Sequence, residues 1–207
     1  MTNPTLIDGA NEVIKRLFAL DEAIANARAF RALLEDLQAR SLIVVKEPHV
    51  TTIAMVRAAI LRSAISTVMT CLDTKDQRGN RASVGQILDM LGNTELITTL
   101  TNSGTPNDSV MAELQQVKHK YEALLGDDLL KSGKRLRNDA IAHLLIPKDP
   151  TPTVHYETIY RLHDTAEQLV IELYKVCDRG KPKFLEYQEK LTAQAKIFWD
   201  TYFRGMS

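Results

Sequence analysis

"VIKRLFALDEAIANARAFRALLEDLQARSL", residues 13–42, decides the fold class of this chain. Val13, Leu17, Leu20, Ile24, Ala27, Phe30, Leu34 and Leu37 recur at steps of three and four, which sets them along one stripe of an α-helix. The run predicts one long helix, or two with a joint near Asp21. From Val50 to Leu72 the chain is apolar on almost every side, as a helix through the middle of a bundle should be. A polar, Gly-containing loop follows at 73–81, and Ser83 is placed to cap a short helix beginning "VGQIL". "TPND" at 105–108 reads as another helix start, with Thr105 as cap, Pro106 in the first turn and Asp108 reaching back. Gly126 ends that helix, and Ser132-Gly133 weakens the next before "KRLRNDAIAHLLIP" at 134–147.

The prolines of "PKDPTPT", 147–153, forbid helix there. Ile159, Leu162, Ala166, Leu169, Leu173 and Val176 then form a further stripe, and "FLEYQEKLTAQAKIFWDTYF" a last amphipathic helix. No alternation of period two and no internal repeat competes with this reading. The expectation is an all-α antiparallel helical bundle, one domain over 1–207, with a core at about 45–177 and helical extensions at 5–40 and 183–204.

Bulk composition narrows the function classes. Lys plus Arg and Asp plus Glu both total 26, so no global field recruits nucleic acid and any such binding needs a local patch. Cys71 and Cys177 stand far apart within apolar helical patterns and read as buried free thiols, not a redox or metal motif. No basic start with an unbroken apolar run opens the chain, and no stretch of about 18 successive apolar residues occurs. A cytoplasmic protein without membrane partners is expected.

No Gly-rich phosphate loop, Gly-x-Ser-x-Gly, His-Glu-x-x-His or Cys-x-x-Cys is present. That sets aside several hydrolase, metalloprotease and nucleotide-binding readings. His119, between two lysines, reads as a solvated residue, and His155 as a surface residue at a helix start. His163 has Glu167 one turn on as an ordinary partner. Asp139 and His143, four apart, can seat a metal but more commonly pair. No cofactor and no metal are expected.

One stretch differs from ordinary core. In "RLRNDAIAHLLIP", 135–147, Arg137, Asn138 and His143 stand among Leu136, Ala140, Ile141, Ala142, Leu144 and Leu145. "RNDAIAH" resembles the Arg-polar-(four residues)-His signature of the HEPN superfamily. These are small all-α domains, many of them metal-independent endoribonucleases of toxin–antitoxin, abortive-infection and CRISPR systems. The apolar helix at 50–72, the loop leading to "RASVGQIL" and the long helix after the motif are similar to the abortive-infection AbiU-type branch.

The resemblance implies Arg137, His143 and Asn138 as catalytic residues. Metal-free RNA cleavage uses the ribose 2'-hydroxyl as nucleophile and needs a proton carrier and a cation for the charge on phosphorus. His143 suits the first task near neutral pH, and Arg137 offers a charged planar fork to phosphate oxygens. Six residues along a helix turn through about 600°, so Arg137 and His143 point about 120° apart and one chain makes a poor site. The resemblance implies a homodimer in which each chain supplies both groups to a shared cleft. Lys131, Lys134 and Arg135 are the expected RNA-binding patch.

The expected function is therefore a toxin or phage-defence ribonuclease acting on RNA, with an antitoxin or nucleotidyltransferase as possible partner. The competing class is a non-catalytic helical interaction or scaffold protein of a defence system. In that case His143 is a core-edge residue and Arg137 pairs with an acidic neighbour on another helix.

Overall fold

The stripe from Val13 to Leu37 lies on one continuous helix, α1 (Pro4–Ala39). In full, the computed structural model describes residues 4–40, 49–73, 82–101, 107–142 and 156–205. Among them are eight α-helices, one 3-10 segment and no strand, so the all-α expectation holds.

Val13, Leu17, Leu20 and Ile24 have no exposed surface. Each such side chain contributes roughly 1.5–3 kcal/mol when taken out of water. That face packs on α2 (His49–Leu72), α4 (Thr94–Thr101), α7 (Tyr156–Val176) and α8 (Gln188–Arg204), so α1 packs into the bundle along its length. Contacts between α1 and α7 advance in opposite directions: Asp21 meets Tyr174, Arg28 meets Glu167, and Gln38 meets Tyr160. The two helices are antiparallel.

Asp21 does not break α1. It is 4% exposed and receives donors from the far end of the chain. Tyr174 Oη donates to Oδ2 at 2.8 Å, the backbone N–H of Lys183 to Oδ2 at 2.9 Å, and that of Phe184 to Oδ1 at 3.0 Å. A buried carboxylate is tolerable when its lone pairs are met in this way. The same bonds explain why the expected helix at 183–204 begins as a 3-10 turn, Lys183–Glu186, before α8. Just upstream, Asp178 and Gly180 take positive φ values of 52° and 70° and turn the chain back toward α1.

Helix α2 is long and apolar enough in composition to cross a membrane, with mean hydropathy 1.4 over Val50–Leu72. It packs against α1, α6 and α7. Cys71 at its end and Cys177 after α7 are both buried and unpaired, and burial pushes both thiols up to about 12. They stay protonated at neutral pH.

Ser83 caps α3 (Val84–Met90) as expected, its Oγ accepting from the Gln86 N–H at 3.3 Å. The next helix, α5 (Asp108–Gly126), starts later than "TPND" suggests. Its cap is Asn107, whose Oδ1 accepts from the Ser109 N–H at 3.0 Å, while Thr105 and Pro106 lie outside the described residues.

Helix α6 (Asp128–Ala142) also departs from expectation, because Ser132-Gly133 does not interrupt it. Gly133 is buried, and a Cβ there would lie 2.5 Å from Leu162 Cδ1 and 2.6 Å from Met69 Sδ. The missing side chain lets α6 approach α7 and α2 closely, and that packing outweighs the roughly 1 kcal/mol helix penalty of glycine. One turn later Arg137 meets Asp73, so α6 accompanies α2 toward its C-terminal end.

Candidate functional site

Gly133 sets the register that brings Arg137 to the end of α2. Arg137, four residues on, is half-buried, and its Nη1 donates to Asp73 Oδ2 at 2.9 Å. The two side chains keep 25% and 27% of their surface exposed, so water screens the pair but does not surround it. Asp73 is the acidic neighbour that the competing reading requires, though it follows α2 directly and stands at the rim, not in the core. Lys131, Arg135 and Asn138 are all exposed, and their spacing of four and three residues puts them on one face of α6. Lys134 is half-buried on the same seam as Arg137. Lys131 Nζ also donates to Asp128 Oδ1 at 2.9 Å, and Lys131 holds the Asp128 carboxyl below its ordinary range.

On α6, Lys131, Arg135 and Asn138 share the exposed face, whereas Lys134 and Arg137 lie on the half-buried seam beside it. His143 and the side chains of 139–142 lie outside the described residues. Leu136, read as core, is only partly buried against it.

A second charged cluster joins α1 to α7 and was invisible to helix periodicity. Arg28 reaches Glu167 with two nitrogens, Nε to Oε1 and Nη2 to Oε2 at 2.8 Å, and donates Nη1 to the Phe184 carbonyl at 3.1 Å. Its guanidinium carbon lies 4.8 Å from the centre of the Phe184 ring. Arg31 pairs with Asp164 and with Glu35, and stacks on Tyr160 at 4.7 Å. Between the two arginines sits His163, 2% exposed, with Nε2 3.3 Å from Glu167 Oε1 and Nδ1 3.4 Å from Arg31 Nη1. Arginine only donates, so Nδ1 carries the lone pair and the proton sits on Nε2. His163 stands beside Glu167 as expected, but it is buried and its Nε2 approaches Oε1 without a well-formed hydrogen bond. His119 on α5 is exposed as expected.

His163, Asp164 and Glu167 each place one ligand atom within 4.8 Å of the others. The donor set does not suit a divalent cation. Arg28 already occupies both oxygens of Glu167 and Arg31 holds Asp164, so an ion would have to displace two guanidinium groups from their carboxylates. The cluster instead fastens α7 to α1.

Burial, opposed by Glu167, pushes His163 below its ordinary 6.5. The unfolded chain then takes up the proton more readily than the folded one, so stability is full above about pH 6.5 and falls as pH drops from there toward the lower folded value. Thermal unfolding of the wild type is expected to fall more between pH 7.5 and 5.5 than that of His163→Gln, read by circular dichroism. Equal slopes for the two proteins would mean that His163 is protonated as easily folded as unfolded.

A scan against protein-family models finds no match, and neither do searches of curated proteins and of solved structures.

Proposed function

We propose that the protein is a metal-independent endoribonuclease of HEPN type, a homodimeric toxin or abortive-infection effector acting on RNA in the cytoplasm. An antitoxin or nucleotidyltransferase is its expected regulator. The observation that carries the reading is the rim of α6. Arg137 is held half-buried at the end of α2, beside an exposed face of Lys131, Arg135 and Asn138, on the helix that leads to His143. A phosphate chain laid along that face meets cations first and the Arg137 fork beside them.

In the reaction, a base removes the proton of a ribose 2'-hydroxyl, whose oxygen attacks the adjacent phosphorus. The bond to the 5'-oxygen breaks, and that oxygen takes a proton from an acid. The products are a 2',3'-cyclic phosphate and a 5'-hydroxyl. His143 and its copy in the second chain supply the proton transfers, and the Arg137 guanidinium stabilises the charge on the phosphoryl oxygens.

Purified protein is expected to cut single-stranded RNA in excess chelator and to leave cyclic phosphate ends, identified by mass spectrometry. Cleavage that stops on chelation and returns with a divalent ion would move the chemistry to carboxylates such as Asp139. One observation favours the scaffold reading, namely that Arg137 already has a carboxylate partner in Asp73. Under that reading the purified dimer leaves RNA intact with or without metal.

A further inference from the structure

Asp73 is placed by more than its pairing with Arg137. The Tyr121 hydroxyl donates to the carbonyl oxygens of Leu72 and Asp73, at 3.2 and 3.1 Å, and so closes the end of α2 where the helix runs out of its own donors. Tyr121 is 6% exposed and is itself fitted against α3, since a Cβ on Gly85 would come within 2.5 Å of its Oη. Gly85, Tyr121 and the α2 terminus therefore hold the Asp73 backbone in place.

The contact that Asp73 then makes is one-ended. It takes Nη1 of Arg137, whereas Arg28 gives Glu167 the Nε and Nη2 edge in a two-pronged pair. Arginine carries five N–H donors in a rigid plane, so a guanidinium gripped at Nη1 has its Nε–Nη2 edge turned away from the gripping carboxylate. That edge is the one that matches two oxygens of a phosphate.

We infer that Asp73, clamped through its backbone by Tyr121, is a positioning residue that holds the Arg137 guanidinium by one end and presents its Nε–Nη2 edge, unpaired among the described residues, to the RNA phosphate. This rests on the endoribonuclease reading of α6. An Asp73 that merely blocked Arg137 would compete for the same edge, and its removal would speed the reaction. One that positions Arg137 loses rate when removed, because misplacing a charge-stabilising group by about 1 Å can cost on the order of a hundredfold.

The test uses the intact chain and a single-stranded RNA oligonucleotide, with its 2'-O-methyl counterpart as a binding probe that has no nucleophile. Asp73→Ala is expected to lower kcat about ten- to a hundredfold while KM and binding of the blocked oligonucleotide stay the same or tighten, since a negative charge is gone. Asp73→Glu should recover part of kcat, and Tyr121→Phe should lower it in the same direction by less. Wild-type or faster cleavage by Asp73→Ala overturns the inference, and the faster outcome marks Asp73 as a blocking residue.

A second measurement does not depend on cleavage. The Arg137 Nε–H resonance, assigned by its loss in Arg137→Ala, should be distinct in the wild type and in Asp73→Glu, and should merge with the solvent-averaged arginines in Asp73→Ala. A resonance unmoved by Asp73→Ala overturns the positioning role even if RNA is cut. A wild type that binds and cuts no RNA, with the resonance behaving as expected, removes the endoribonuclease reading and leaves the hold of Asp73 on Arg137 standing.

Discussion

Arg137→Ala and His143→Ala are each expected to lower RNA cleavage by about two orders of magnitude or more, the usual effect of removing a charge-stabilising donor or a proton-transfer group. For Arg137 the structure separates this loss from a loss of fold. Its ion pair with Asp73 is a quarter exposed on both sides, so truncation leaves a carboxylate that water can reach, and stability should change by about 1 kcal/mol or less. Leu130→Ala is the contrasting control. Leu130, on the same helix, is 1% exposed, and its truncation should cost roughly 2–5 kcal/mol in urea denaturation. Cleavage by that variant should persist per folded molecule. Arg137→Ala or His143→Ala cutting RNA at the wild-type rate would remove the endoribonuclease reading. An Arg137→Ala protein that loses stability, from a wild type with no cleavage, would identify the Asp73 pair as a simple fastener and favour the scaffold.

Local pattern was enough for the elements, because burial along a helix repeats every 3.6 residues whatever it packs against. Every apolar stripe residue assigned to α7, from Ile159 to Val176, is buried, and so are Val13, Leu17, Leu20, Ile24, Ala27, Leu34 and Leu37 of α1. The positions that local pattern leaves undefined share another property: their roles are set by residues more than twenty positions away. Gly133 looks like a weak point until Met69 and Leu162 occupy the space of its missing side chain. Nothing local marks Arg28 and His163 as members of one buried cluster until α1 and α7 face each other, across separations of 139 and 132 residues to Glu167 and Arg31. Asp73 sits at the start of a polar loop with nothing local to mark it as the partner of Arg137. The candidate site was legible as chemistry, in Arg137, Asn138 and His143, but its support was not.

Asp21 is the extreme case of this hidden support, and its removal is expected to give the largest loss of stability among the polar residues. Asp21→Ala leaves the Tyr174 hydroxyl and the Phe184 N–H buried without their acceptor, at roughly 1–3 kcal/mol each, while the part-buried Lys183 N–H can turn to water. A loss of about 2–5 kcal/mol follows. Burial, which the variant keeps, pushes the Tyr174 hydroxyl upward, so it cannot relieve its lost acceptor by ionising near neutral pH. Asp21→Asn keeps one carbonyl acceptor and should retain part of the stability. The loss should also be uneven, because these bonds tie the 3-10 turn at 183–186, and through it α8, to the middle of α1. Trp199 is the sole tryptophan of the chain; it is fully buried on α8, its Nε1 donating to the Leu33 carbonyl at 2.8 Å. Its fluorescence therefore reports the docking of α8 on α1. In Asp21→Ala the tryptophan signal should change at lower urea than the helical circular dichroism, whereas in the wild type the two should coincide. Coincident transitions in both proteins would mean that the C-terminal segment is held chiefly by the apolar packing of Phe184 and Trp199, and that the Asp21 bonds add nothing the rest of the interface does not supply.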